Sequence, residues 1–330
     1  MSDTVENPTG TELAPIPETS VNIYTPKRPL TSKVVEKYRI THHTSPNYAW
    51  HVVLSLEGSE MAGRYRIGQS IGVVPEGRFV DEKFNYAHRK LDTKIRLYSL
   101  ASACWGDDWK GQTVSLCVKR EFSEDDSTGE IAFGECSNLI CDAKPGDELQ
   151  ITGPSGKGFM LPDDALEHDY VLVATGTGIA PFRGMLIELF NQGYEGQVWL
   201  VFGTPYSTDI MYDDEFRFLD ERHANFRYVT AVSREQKNPR GGKMYAQDRL
   251  VEHQDELVPL LEKPDTMLYL CGLKGVEFGV YQWLHGIGSN LVTLPEGMTV
   301  EEIQNLRRGD PAWTKVDRAR DKTRLFKETY

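Results

Sequence analysis

The feature that most constrains this chain is a change of rhythm near residue 165. Ahead of it, short apolar runs are broken by Gly, Pro and Asp, as in Ala49-Trp50-His51-Val52-Val53-Leu54-Ser55-Leu56, Ser70-Ile71-Gly72-Val73-Val74-Pro75, Val114-Ser115-Leu116-Cys117-Val118-Lys119 and Glu148-Leu149-Gln150-Ile151-Thr152-Gly153. Strands at this spacing, with one short helix candidate at 137–142, predict an antiparallel barrel or sandwich. Beyond residue 165, apolar runs at 170–174, 197–203, 226–232 and 267–271 alternate with amphipathic stretches at 182–191, 213–222, 245–253 and 275–284. Alternation of that kind predicts a parallel sheet covered on both faces. The expected fold is therefore two-domain, an N-terminal antiparallel β-barrel at 30–162 followed by a C-terminal α/β domain at 163–330. The boundary falls at Pro162-Asp163-Asp164. Residues 1–29 are Pro-rich and, through residue 26, carry acids but no Lys or Arg, which predicts a disordered N-terminal tail.

A length of 330 residues suits two cores rather than one. The formal net charge of −12 argues against a general nucleic-acid binder, and no apolar run approaches a membrane span. Five cysteines, Cys104, Cys117, Cys136, Cys141 and Cys271, form no Cys-x-x-Cys pair. A zinc site or disulfide framework is not expected, and a reducing compartment is. The first residues show neither a basic-then-apolar signal nor an Arg-rich transit pattern, so the expectation is a cytoplasmic protein or a mature chain whose targeting segment is absent.

Four clusters carry chemistry. In Arg96-Leu97-Tyr98-Ser99 a guanidinium and a phenol share one face of a strand while Leu97 and Ser99 share the other. A cationic fork beside an aromatic plane suits a flat, phosphate-bearing cofactor, and an ordinary half-buried strand has the same pattern. Thr175-Gly176-Thr177-Gly178-Ile179-Ala180-Pro181 lies where a strand turns into a helix, a place where backbone N–H groups receive phosphate. Pro181 stands where the dinucleotide fingerprint has its third glycine, and the next strand ends in Gly203-Thr204-Pro205 without the ribose-binding acid. Ser233-Arg234 precedes Lys243-Met244-Tyr245-Ala246-Gln247 by about ten residues. Converging there, a hydroxyl, two cations and a phenol would suit the 2′-phosphate and adenine of NADP, although such cations are often plain surface. Cys271-Gly272 ends the fourth strand of the second half, at the edge where ligands bind in parallel sheets.

Taken with Leu116-Cys117-Val118-Lys119-Arg120, Gly134-Glu135-Cys136-Ser137-Asn138, Cys271-Gly272-Leu273-Lys274-Gly275 and the final Glu328-Thr329-Tyr330, these clusters resemble plant-type ferredoxin–NADP reductases from about residue 30 to the C-terminus. The resemblance implies an FAD-containing reductase that passes electrons between NADP(H) and ferredoxin or flavodoxin, by hydride transfer between nicotinamide C4 and flavin N5. It implies FAD contacts at Arg96, Leu97, Tyr98, Ser99, Cys117, Lys119, Gly134, Cys136, Ser137, Thr175 and Tyr330. For NADP(H) it implies Lys119, with Arg120 as an alternative for the pyrophosphate, and Thr175, Gly176, Thr204, Pro205, Ser233, Arg234, Lys243, Tyr245, Gln247, Gly272, Leu273 and Glu277. Ser99, Cys271, Glu328 and Tyr330 would be the catalytic set, with Ser99 near flavin N5, Cys271 beside the nicotinamide, Glu328 on a proton route and Tyr330 over one flavin face.

Three departures stand out: Glu121-Phe122-Ser123 where an adenine-stacking aromatic is common, an insertion-like segment at 79–92, and the region 291–325. Two other readings keep the flavin: the reductase component of an oxygenase, and an assembly module without turnover.

Overall fold

The computed structural model describes residues 5–75, 94–124, 129, 131–307 and 309–330; the segment at 79–92 lies outside the described residues. The chain divides into two compact units, one of residues 3–160 with 183–188, the other of residues 161–182 with 189–330. Among the described residues, no helix is long and apolar enough to cross a membrane.

The first unit holds β1 (Leu30–Arg39), β2 (Ala49–Ser55), β3 (Ser70–Val74), β4 (Arg96–Ser99), β5 (Thr113–Lys119), the hairpin β6 (Phe122–Glu124) and β7 (Ile131–Phe133), α1 (Glu135–Asp142) and β8 (Glu148–Ser155). Six strands form one antiparallel sheet in the order β4-β3-β8-β1-β2-β5. Its two edges meet where the chain leaves β4: Leu100 bridges to Leu116 of β5, and Ala101 N donates to Ser115 O at 2.8 Å. That contact closes the sheet into the expected barrel and removes two open edges. Buried Val34, Val52, Leu54, Ile71, Val73, Leu116 and Ile151 fill it.

The N-terminal segment departs from the disordered tail that its composition suggests. Tyr24 pairs with Gly153, Gln69 Nε2 donates to Ser20 O at 2.9 Å, and Trp105 Nε1 donates to Ala14 O at 2.6 Å. Pro-rich chain leaves its carbonyls unpaired, and here buried side-chain donors and a strand edge of the barrel claim them. Helix α1 is anchored at its other end, because Lys37 Nζ donates to Cys141 O at 2.7 Å and to Ala143 O at 2.5 Å, capping the carbonyls that the helix leaves open.

The second unit holds β9 (Asp169–Thr175), α2 (Ile179–Asn191), β10 (Val198–Thr204), α3 (Asp213–Arg222), β11 (Phe226–Val232), α4 (Ala246–Glu252), α5 (Gln254–Glu262), β12 (Thr266–Gly272), α6 (Lys274–Gly286), α7 (Val300–Asn305), α8 (Trp313–Arg318) and β13 (Leu325–Thr329). All five strands run parallel, in the order β11-β10-β9-β12-β13. Residues 198–204 and 266–272 are buried throughout, as expected of strands covered on both faces. On one face Val171, Val173, Val201, Leu268 and Leu270 pack with Leu250, Leu257, Val280, Leu284, Ile303, Trp313 and Val316. Pro181 falls in the first turn of α2, where a helix needs no N–H. The divergent region 291–325 contributes α7 and α8 to this core, neither of which the periodicity predicts.

Replacing Lys37 by Met should cost the first unit about 1–2 kcal/mol, since two charge-assisted bonds to the end of α1 are lost while the apolar stem is kept. Urea unfolding measures this as a lower midpoint with an unchanged slope.

Candidate active site

Parallel strands bring their carboxyl ends to one edge, and in the second unit that edge gathers most of the expected nucleotide residues. Thr175 ends β9, residues 176–178 form one tight 3-10 turn, and α2 begins at Ile179. The turn is crowded on one side and open on the other. A Cβ on Gly178 would lie 2.3 Å from Cys271 O, and one on Gly272 would lie 2.3 Å from Thr175 O, whereas at Gly176 nothing stands within 4 Å. Two glycines thus let β9 and β12 approach at the edge, and the third leaves the space into which N–H groups can receive phosphate oxygens. Thr175 Oγ1 ties the arrangement by accepting from Leu273 N at 2.9 Å.

The last strand completes this corner. In β13 Glu328 lies opposite Cys271 and Thr329 opposite Gly272, after which Tyr330 N donates to Gly272 O and Lys274 N to Tyr330 O, both at 3.0 Å. The Tyr330 hydroxyl is 2.6 Å from Thr177 Oγ1, and its residue remains 62% exposed. Cys271, Gly272, Leu273, Thr175, Glu328 and Tyr330 therefore converge, and Thr177 joins them although its side chain carried no sequence signal. Cys271 is only 1% exposed, so it can offer a ligand a packing surface at the strand end and not a freely accessible nucleophile.

Glu277 departs from expectation. Its side chain is 1% exposed, and its oxygens accept from Lys327 Nζ at 2.7 Å and Thr329 Oγ1 at 2.6 Å, so the carboxylate faces the protein and not a nucleotide. Thr204 is also buried, its hydroxyl donating to Tyr206 O at 3.0 Å; it shapes the turn at the end of β10.

A second group lies after β11. Ser233 N donates to Thr204 O and Arg234 N to Pro205 O, which fixes the start of the loop against the end of β10. A bridge between Lys237 and Lys243 and the bond from Met244 N to Gln236 O turn the chain back, so that Lys243 and Met244 return beside Gln236 and Lys237. Arg249 holds this loop through Thr230 O at 2.9 Å and Gln236 Oε1 at 3.0 Å. Arg234, Lys243 and Tyr245 are exposed, and neither cation pairs with a carboxylate among the described residues. Gln247 is half-buried against Gly279.

In the first unit, β4 and α1 are brought together by β3. Val73 pairs with Arg96, and its carbonyl accepts from Cys136 Sγ at 3.5 Å, which sets the first turn of α1 near the start of β4. Ser137 Oγ donates back to Gly134 O at 3.1 Å. The burial along β4 does not alternate as expected: Arg96 and Leu97 are exposed, Tyr98 and Ser99 half-buried, because β4 lies at the end of the barrel sheet and its outer residues run past the core. Burial pushes the Tyr98 hydroxyl above its ordinary range, so it stays protonated.

Arg120 is committed elsewhere, donating to Asn138 Oδ1 at 2.6 Å and pairing with Asp142 of α1. Lys119 pairs with Glu121 at 3.2 Å and stays partly exposed. Cys117 is buried opposite His51, inside the sheet and not at a ligand surface, since β5 is covered on both sides.

These residues fit the two groups expected of them. Leu97 at 62% and Phe122 at 53% exposure leave apolar surface uncovered on the first unit, Leu97 following Arg96 in β4 and Phe122 pairing with Phe133 ahead of α1. The second unit offers an open glycine turn and two unpaired cations around an exposed phenol.

The "Oxidoreductase NAD-binding domain" family matches residues 172–281. The chain is 45% identical over 266 residues to ferredoxin–NADP reductase, leaf isozyme 1, chloroplastic, of Arabidopsis thaliana, covering 79% of this chain and 70% of that protein. It is 40% identical over 290 residues to ferredoxin–NADP reductase of Thermosynechococcus vestitus, covering 85% and 72%. Among solved structures it is similar in fold to ferredoxin–NADP+ reductase from Plasmodium falciparum, with a TM-score of 0.66 at 24% identity over 94% of this chain and 99% of that one.

Replacing Gly272 by Ala should strip the second unit of nucleotide affinity, because φ is +126° and the added methyl would meet backbone at 2.3 Å. Isothermal titration with 2′-phosphoadenosine ribose ligands is expected to show at least a tenfold loss, together with a lower thermal midpoint.

Proposed function

The chain belongs to the ferredoxin–NADP reductase family, and from that premise we propose how its residues divide the work of the reaction. The protein is an FAD-dependent oxidoreductase that moves electrons between NADP(H) and ferredoxin. The proposal extends the partners to flavodoxin as a second acidic electron-transfer protein. Bound FAD supplies the chemistry that neither nicotinamide nor an iron–sulfur centre has alone, exchanging electrons in pairs with one and singly with the other.

Every other contribution is the chain's own. Arg96 and the N–H groups at Cys136 and Ser137 hold the FAD pyrophosphate, Tyr98 lies against the flavin ring, and Ser99 offers its hydroxyl at the reacting edge. Thr175 and Gly176 receive the pyrophosphate of NADP(H). Ser233, Arg234 and Lys243 pair with its 2′-phosphate while Tyr245 stacks on adenine, a division that selects the phosphorylated nucleotide. The Tyr330 ring takes the place that the nicotinamide needs, and the Cys271 side chain packs beside it. Hydride transfer needs close stacking of two rings, so most of the catalytic gain lies in positioning. Glu328 lies two residues before Tyr330 on a half-buried edge strand and is the group assigned to pass protons outward.

The observation that carries this reading is the register of β13, which sets Glu328 against Cys271 and Tyr330 against Gly272 with its hydroxyl on Thr177. No separate feature favours an oxygenase partner or a module without turnover.

Purified holoprotein with NADPH should reduce cytochrome c at a rate that ferredoxin raises severalfold; a rate indifferent to every ferredoxin and flavodoxin tested would sink the partner assignment. Arg234→Ala and Lys243→Ala should each raise KM for NADPH about tenfold and leave the kinetics with NADH alone, as loss of one charge-assisted phosphate contact requires. Ser99→Val should slow the hydride-transfer phase seen by stopped flow by about two orders of magnitude without weakening NADPH binding.

A further inference from the structure

The buried carboxylate of Glu277 is a charged group near the corner that the reaction as described does not use. It stands in the first turn of α6 and receives two side chains from one face of the last strand, Lys327 Nζ on Oε1 at 2.7 Å and Thr329 Oγ1 on Oε2 at 2.6 Å. The indole Nε1 of Trp313 lies 3.4 Å from Oε1. Lys327 also meets Asp317 at 2.5 Å, and Asp317 in turn takes Arg320 at 3.1 Å and the Tyr281 hydroxyl at 3.3 Å. The result is an alternating line of acid, base, acid and base from α6 through β13 to the end of α8. Its charges cancel, so the desolvation cost of burying them is largely offset by mutual attraction.

We propose that Glu277 is a positioning residue for nucleotide exchange: by holding Lys327 and Thr329 together it fixes the register of β13, and so sets how readily the Tyr330 ring gives way to nicotinamide. The proposal rests on the reading that Tyr330 occupies the nicotinamide's place.

The physical case is one of register. Side chains of a strand alternate, so a slip by one residue would turn Glu328 toward Glu277, carboxylate against carboxylate, and carry Lys327 to the face where Phe326 now stacks on Tyr269 at 4.6 Å. Only the observed register satisfies all three. A terminal residue anchored at its own position, by the two backbone bonds to Gly272 and Lys274 and by its hydroxyl on Thr177, still frays when the strand before it loosens. Two side-chain bonds immediately upstream oppose that fraying, and they fall on a strand whose five residues carry the catalytic end of the chain. Backbone alone would hold β13 loosely; the clamp makes departure of Tyr330 a defined event with its own cost.

The test uses the holoenzyme and compares wild type with Thr329→Val, Thr329→Ser, Glu277→Gln and Tyr330→Ser. Release of the C-terminal tyrosine by carboxypeptidase A, followed by mass spectrometry, reads the clamp without reference to activity. Steady-state kinetics with NADPH and NADH read its consequence. Thr329→Val should speed release about tenfold, the effect of one lost hydrogen bond, Glu277→Gln should speed it to a similar degree by removing the charge that pairs with Lys327, and Thr329→Ser should keep the wild-type rate. The same two variants should lower both KM and kcat for NADPH and raise the NADH-to-NADPH ratio of kcat/KM severalfold. Unchanged release in Thr329→Val overturns the proposal. Faster release with an unchanged ratio overturns it too where Tyr330→Ser does shift the ratio. If Tyr330→Ser also leaves the ratio unchanged, the reading of Tyr330 itself has failed and the proposal falls with it.

Discussion

Pairing of the last strand with β12 is the constraint on which the candidate site depends. Five residues add one edge to a parallel sheet, and in doing so they bring the end of the chain to the crowded turn after β9. An edge strand offers a row of unpaired backbone groups, and short charged strands are the usual protection. β13 is short and carries Lys327 and Glu328 on opposite faces, so one feature both blunts the edge and sorts its side chains. Lys327 goes to the helical side, where the acids of α6 and α8 await it. Glu328 goes to the side of Cys271. The register that suits the core is therefore also the register that sets Tyr330 on Gly272.

Glycine makes the neighbouring half of the corner. At Gly178 and Gly272 the backbones of two strand ends come so close that no side chain fits, whereas Gly176 is open and adopts a left-handed φ of +54°. Close packing and an accessible N–H turn are thus achieved side by side, by the turn that follows β9 and by the last residue of β12. Thr175 links both, holding Leu273 N from the one side while preceding the open turn on the other. The first unit solves a comparable problem differently. There the first turn of α1 is set beside Arg96 through the carbonyl of Val73, and the far end of the same helix is held by Lys37 and Arg120.

What could be read in the sequence follows from this contrast. Barrel strands, the alternating second half and the glycine turn were legible because alternation, apolar runs and Gly placement are local consequences of backbone geometry. The return of the chain after β11 was legible only as a polar loop, and the structure turns it at Lys237 and Lys243. Strand β13 was not, since Leu325-Phe326-Lys327-Glu328-Thr329 has no long apolar run and its place is fixed by β12, more than fifty residues earlier. Helices α7 and α8 are six residues each, too short for a period to emerge. The N-terminal segment has a composition that cannot build a core, yet it needs none, because the barrel supplies donors for its carbonyls.

Charge was the least legible property, and adjacent residues show why. Lys119 and Arg120 look alike in sequence as candidates for a phosphate. At the end of β5 one pairs with Glu121 near the surface, while the other turns toward α1 and is used up by Asn138 and Asp142. Glu277 and Glu328 differ in the same way: the one expected at NADP(H) lies on a helix facing the core, and the one expected on a proton route lies on an edge strand beside Cys271. A carboxylate that holds the strand and a carboxylate that the strand presents have identical side chains. The parity of β13 goes with this difference: Lys327 and Thr329 reach Glu277, and Glu328 between them lies on the face of Cys271. Which acid this corner buries against the core and which it places beside Cys271 is therefore a property of register, which no single residue carries.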